Sequence, residues 1–127
     1  MHPLCVDQGV GVIPWSPIAR GVLARPWGEE TNRSETDRLI ARLYKQAEDS
    51  DHAIVDAVGE VAEAHDVSRA QVALAWVIQQ PAVTAPIVGA TKPHHLDDAA
   101  AAVELTLTPD ELERLAAPYT PRKPEGY

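Results

Sequence analysis

Only two stretches of this chain read as β-strands, and a long run of helical patterns lies between them. The first is Val10–Trp15, with the apolar Val10, Val12 and Ile13; the second lies within Val83–Thr91, around Pro86-Ile87-Val88. Strands separated by helices pair in parallel, so the order predicts an α/β arrangement. Yet a parallel sheet of two strands leaves both edges open and is not stable by itself. The pattern is therefore that of part of a larger structure. Leu4-Cys5-Val6 before Asp7-Gln8-Gly9 reads as the last turn of a helix closing on glycine, so the chain is expected to open inside an element.

Between and after the strands the punctuation is clear. Trp15-Ser16-Pro17 stops the first strand, and Arg25–Ser34 is a polar, breaker-rich excursion. Glu35–Ala47 predicts a short helix with a stripe of Leu39, Ile40, Leu43 and Tyr44. Asp51 is placed to cap the next helix, whose apolar positions are Ile54, Val55, Val58, Val61 and Ala62. Ser68-Arg69-Ala70-Gln71 has the form of a capping box, with Val67 and Val72 set for a hydrophobic staple. The helix it opens is apolar on all sides over Val72–Ile78, which predicts burial, and Pro81 ends it. Pro86 is tolerable near the start of a strand. A helix is expected over Pro93–Val103, and Thr108-Pro109-Asp110-Glu111 is a second capping box, with a Leu107–Leu112 staple. It starts a terminal helix running to about Ala117, and the proline-rich tail 118–127 is expected to be irregular.

Composition narrows the function classes. The 127 residues, 45% of them apolar, suit one ordinary globular unit. A formal net charge of −8 excludes a surface for duplex nucleic acid, which needs clustered positive charge. No apolar run approaches the ~20 residues of a membrane span, and no secretory leader is apparent. The single cysteine, Cys5, cannot form an internal disulfide and reads as a small core residue, which makes the cytoplasm the expected compartment. His94 and His95 have no Cys or third His at metal-ligand spacing, so no metal site is expected.

The two strands end alike. Ser16, Arg20 and Gly21 follow the first; Gly89, Thr91 and Lys92 follow the second. In α/β proteins ligands sit beyond the carboxyl ends of the strands. Glycine lets backbone amides approach an anion, hydroxyls add donors, and a helix starting at Pro93 would aim its positive end there. This is equipment for phosphate, although the spacing alone equally describes structural turns. His94 and His95 read most simply as solvated first-turn residues, and Trp27 as facing either a pocket or a neighbouring element.

The segment "GVGVIPWSPIARGVL", taken with "VSRAQVALAWVIQQPAVTAPIVGATKPHHLDDAAAAVELTLTPDELERLAAPY", closely resembles the C-terminal portion of aldo-keto reductases. It is most similar to the bacterial and fungal type with a "PWSPLARG" loop, over about residues 3 to 121. The resemblance implies the C-terminal portion of a (β/α)8 TIM barrel that binds NADPH in extended form at its carboxyl face. Val10–Trp15 would be the seventh strand and Pro86–Gly89 the eighth. Residues 1–127 would form a partial domain, helix-rich and incomplete alone. By matching motif, Ser16, Pro17, Ile18 and Gly21 would line the cofactor pyrophosphate, with Ile18 where leucine is usual. Gly89, Ala90 and Thr91 would lie near the adenosine ribose and its 2′-phosphate. His95 stands where Arg or Gln often contacts this end, and Asp98 matches an acidic position near the adenine amino group. Ala99 replaces a common Asn, so one adenine contact is missing. Lys92 and His95 would supply charge to the 2′-phosphate, which implies NADP over NAD.

In that family hydride transfer uses an Asp, a Tyr, a Lys and a His from the N-terminal half of the barrel. Tyr44, Tyr119 and Tyr127, and Lys45, Lys92 and Lys123, do not match those contexts, so no catalytic residue is assigned. A barrel takes about 250 residues. Two readings follow. One is the C-terminal half of an NADP(H)-dependent reductase that interconverts carbonyls and alcohols and needs a complementary N-terminal half. The other is a non-catalytic interaction or dinucleotide-binding remnant that self-associates through exposed helices. A wet Val72–Ile78 face would cost several kcal/mol at ~25 cal/mol per Å2. The chain alone is thus expected to associate, or to pack as a compact helical remnant.

Overall fold

The computed structural model describes residues 1–29 and 47–121. The helix expected over Glu35–Ala47, with Tyr44 and Lys45, lies outside them save for Ala47, as do Lys123 and Tyr127.

The first helix, α1 (His2–Asp7), closes as expected: Gly9 has φ +65°, and the Val10 amide returns to the Cys5 carbonyl at 2.8 Å. The two strand-like segments then pair in parallel, Val12 with Val83 and Trp15 with Ile87. Val12 N–H donates to Ala82 O and Thr84 N–H to Val12 O, both at 2.9 Å, and Ile87 N–H donates to Pro14 O at 2.8 Å. The expected pairing is present, but as two isolated bridges rather than continuous strands, and it begins at Ala82–Thr84, ahead of Pro86. Pro14 and Pro86 lack the amide hydrogens that a regular ladder between these bridges would use.

Beyond Trp15 the chain winds into a 3-10 segment, Ala19–Ala24. The next helix, α2 (Glu48–His65), corrects one expectation: Asp51 is not its cap. The Asp51 amide donates to the Ala47 carbonyl at 2.9 Å, so the residue lies within the first turn, buried, with Ala47 at the cap position. Glu48, Asp49 and Asp51 all suit the positive end of the helix, which lets the start move upstream. Both capping boxes form. Ser68 and Gln71 open α3 (Arg69–Ile78), and Thr108 and Glu111 open α5 (Pro109–Ala116). Between them lies α4 (Pro93–Glu104).

The core sits where α2, α3 and α5 meet. Val58, Val61 and Ala62 of α2 pack with Val72 and Ala75 of α3, with Leu107, and with Leu115 of α5. The staple residues Val67 and Leu112 pack against the same cluster. The apolar run of α3 is only half buried: Val72–Ala75 are enclosed, whereas Trp76–Ile78 keep partial exposure. Even so, α3 finds cover from α2 and α4 within the chain. What stays wet is the paired segment, where Val10, Ile13, Trp15 and Ile87 are all more than half exposed. Among the described residues no helix is long and apolar enough to cross a membrane, and no group of His, Cys, Asp or Glu could hold a metal.

Candidate functional site

The Trp15–Ile87 bridge puts the carboxyl ends of both segments at one end of the pair, and the two polar loops leave from there. The first loop is wound in an uncommon way. Ser16, Ala19 and Arg20 have φ of 55°, 49° and 57°, and Gly21 follows at 96°. Left-handed backbone is costly for residues with a Cβ, and it persists only where surrounding bonds hold it. Here those bonds are internal. The Ala19 amide donates to Ser16 O and the Gly21 amide to Ile18 O, both at 2.9 Å. The Arg20 amide donates to the Ser16 hydroxyl oxygen at 3.2 Å. Gly21 is buried, and its φ of 96° is the reason the position favours glycine; a Cβ there would meet only the movable tip of the Arg25 side chain, at 2.7 Å.

The second loop is open. Nothing lies within 4 Å of where a Gly89 Cβ would stand, and Ala90, Thr91 and Lys92 are exposed. Lys92 occupies the cap position of α4 without a side-chain cap bond. The Thr91 amide donates to His95 Nδ1 at 3.3 Å, so one turn of the loop closes on the imidazole. The His94 and His95 rings meet edge to face at 4.5 Å between centroids.

Asp98 has partners that its position in the sequence does not reveal. Its Oδ1 accepts from the Ser68 hydroxyl at 3.1 Å and from Gln71 Nε2 at 3.0 Å. The carboxylate thus joins the capping box of α3 and ties α4 to it. No sequence signal spans those thirty positions. The long separation hides the contact, although Gln71 as an amide donor at the end of a capping box is a cue.

The 3-10 segment turns toward the other side of α3. Pro17 and Leu23 line an apolar cavity of about 350 Å3 with Ile54 and Val58 of α2, Trp76 of α3 and Tyr119. The sequence reading missed this cavity; its signal was the one-turn spacing of Ile54 with Val58 and of Ala73 with Trp76 and Val77. Of the phosphate-loop candidates, Pro17 alone reaches this lining. Trp27 packs against His52 of α2, with ring centroids 5.6 Å apart.

Electrostatically one carboxylate stands out, away from the loops. Glu111 is held below the ordinary glutamate value of 4.5, first by the Thr108 backbone N–H. Partial burial opposes this, and the His65 ring and the Thr108 hydroxyl add to it. It stabilises a helix junction and carries no reacting group.

Comparison with known proteins identifies the family. The family model described as "Aldo/keto reductase family" matches residues 1–119. Versiconal hemiacetal acetate reductase of Aspergillus parasiticus is 47% identical over 124 residues, which is 96% of this chain and 36% of that protein. A Schizosaccharomyces pombe protein provisionally named aryl-alcohol dehydrogenase is 43% identical, over 99% of this chain and 35% of its own length. An aldo-keto reductase of Fusarium vanettenii is 36% identical, over 97% and 33% respectively. The chain spans about a third of the length of these relatives. With a family match across nearly all of its residues, the chain belongs to the aldo/keto reductase family.

Proposed function

We propose that this chain supplies the C-terminal part of an NADP(H)-dependent aldo-keto reductase. On this reading Val10–Trp15 and Pro86–Gly89 are the seventh and eighth strands of a (β/α)8 barrel. The catalytic Asp, Tyr, Lys and His come from a complementary N-terminal portion, and the whole reduces a carbonyl or oxidises an alcohol by hydride transfer. The observation that carries the reading is the parallel bridge between Trp15 and Ile87, which delivers both loops to one end. The exposed Val10, Ile13, Trp15 and Ile87 support it as well, since further strands would cover them.

The residues present suit a dinucleotide's phosphates at the second loop, where open space at Gly89 adjoins an exposed cation. Gly89, Ala90, Thr91, Lys92 and His95 would hold the adenosine ribose and 2′-phosphate, and Asp98 would fix α4 beside the adenine. Ser16, Pro17, Ile18 and Gly21 would follow the pyrophosphate, with the Ser16 oxygen fixed by the Arg20 amide. Bound NADPH would supply the hydride; these residues bind and orient it. The proposed setting is the cytoplasm.

The test mixes the chain with an N-terminal barrel half from a relative and follows NADPH oxidation with a panel of aldehydes. Turnover only in the mixture supports the reading. No turnover and no complex by size-exclusion chromatography would overturn it. Saturable NADPH binding by the chain alone, with no complex to any barrel half, would favour a dinucleotide-binding remnant instead.

A further inference from the structure

We propose that the apolar cavity between α2, α3 and α5 is a binding site for a small uncharged aromatic molecule carrying one oxygen group, a hydroxyl or a carbonyl. Separate parts of the chain wall it: Leu23 of the 3-10 segment, Ile54 and Val58 of α2, Trp76 of α3, Leu115 of α5, and Tyr119 beyond it. Its volume of about 350 Å3 falls in the range of small-molecule pockets. A dry apolar cavity of about 150 Å3 holds benzene, so this one has room for two fused rings.

The lining selects against charge. Among the described residues no Asp, Glu, Lys, Arg or His belongs to it, and an ion brought there would lose its hydration without gaining a partner. Trp76 uses its one donor within the chain, Nε1–H to Leu112 O at 3.3 Å, so the indole offers the cavity apolar surface alone. The phenol of Tyr119 is the one side-chain hydroxyl of the described lining, and it can bond a single oxygen of a guest. Two aromatic walls favour an aromatic guest through offset or edge contacts. Tyr119 is also held in place from α2. The Ser50 hydroxyl, in the first turn of that helix, donates to Pro118 O at 2.7 Å and accepts from the Thr120 amide at 3.2 Å. One side chain thus pins the residues on both sides of Tyr119, 68 and 70 positions away, and keeps the phenol at the cavity.

The test titrates 2-naphthol into the full chain at neutral pH and follows it by NMR. Saturable one-to-one binding is expected, with nuclear Overhauser contacts from the probe to the Ile54 methyls and the Trp76 ring. Naphthoate, the same rings bearing a charge, should not saturate. Tyr119→Phe should weaken naphthol binding by about three- to tenfold, the size of one hydrogen bond, and leave naphthalene binding unchanged. Ser50→Ala, which frees Tyr119 from α2, should weaken naphthol at least as much. Ala116→Phe, at the exposed end of α5, should fill the mouth of the cavity and abolish binding. Should that variant fail to fold, the contacts to Ile54 and Trp76 in wild type decide. No saturation by naphthol, equal binding of naphthoate, or contacts only to other residues would overturn the proposal. So would contacts without probe from Ile54 and Trp76 to side chains elsewhere in the chain or, growing with concentration, to a second copy, since protein would then fill the cavity.

Discussion

Arg69 lies across Gly59. Its guanidinium leaves the start of α3, passes over the middle of α2 and donates to the Val55 carbonyl at 2.7 Å. A Cβ on Gly59 would run into that group. Glycine in a helix interior costs about 1 kcal/mol relative to alanine, so its place here is explained by the room it leaves. Gly59→Ala should gain that propensity but displace a charged hydrogen bond of about 1.5–3 kcal/mol, for a net loss of about 1 kcal/mol. In an Arg69→Ala background the same change should stabilise by about 1 kcal/mol. Urea denaturation of the four proteins gives the cycle; additive values would mean that the two residues do not touch in solution.

The junction of α2 and α5 should be acid-sensitive. Glu111 Oε2 accepts from the Thr108 amide at 2.8 Å, and Oε1 meets His65 Nε2 at 2.7 Å. A carboxyl held below its unfolded value contributes stability that is fully present above that value. The contribution is lost as the pH falls through the lower, folded value. The stability gap between wild type and Glu111→Gln should be constant above the ordinary glutamate range and shrink below 4.5. Urea midpoints measured against pH check this, and a gap that persists unchanged into acid would contradict it.

Gln79 stitches the end of α3 to the segment before α5. Its Nε2 donates to Ala75 O at 3.0 Å and Leu105 O at 3.2 Å, and its Oε1 accepts from the Leu107 amide at 3.2 Å. Gln79→Glu would set a carboxylate oxygen against two carbonyls and should cost about 1–3 kcal/mol. Gln79→Ala should speed hydrogen exchange at Leu107. Unchanged exchange there would show that the amide is protected by something else.

Asp66 ends α2 in the left-handed region, at φ 53° and ψ 45°, and its side chain is exposed. Glycine adopts that conformation without the Cβ penalty. Asp66→Gly should raise stability by about 0.5 kcal/mol, after the extra entropy of an unfolded glycine is discounted. Thermal melts decide it, and a lower midpoint would mean that the aspartate side chain contributes more than its backbone costs.

Much of the helical framework is legible along the chain. Ser68 with Gln71 and Thr108 with Glu111 satisfy each other across three residues, so residue types and spacing suffice to place both helix starts. The start of α2 was misread because Glu48, Asp49 and Asp51 are all suited to its first turn, and the local pattern does not choose among them. The apolar runs before Ser16 and around Ile87 were recognisable, but Pro14 and Pro86 reduce their pairing to two bridges.

Residue types and their spacing along the chain suffice for where the helices open, which faces are apolar, and that two hydroxyl-bearing loops follow the paired segments. Those features depend on atoms within a turn of one another. Three contacts emerge only in the folded chain: Asp98 serves the cap of α3, Arg69 crosses Gly59, and His95 accepts from the Thr91 amide. The first two join distant elements, and their geometry exists only once the helices have packed. The third is near in sequence, yet it depends on how the loop before α4 bends, which periodicity does not encode.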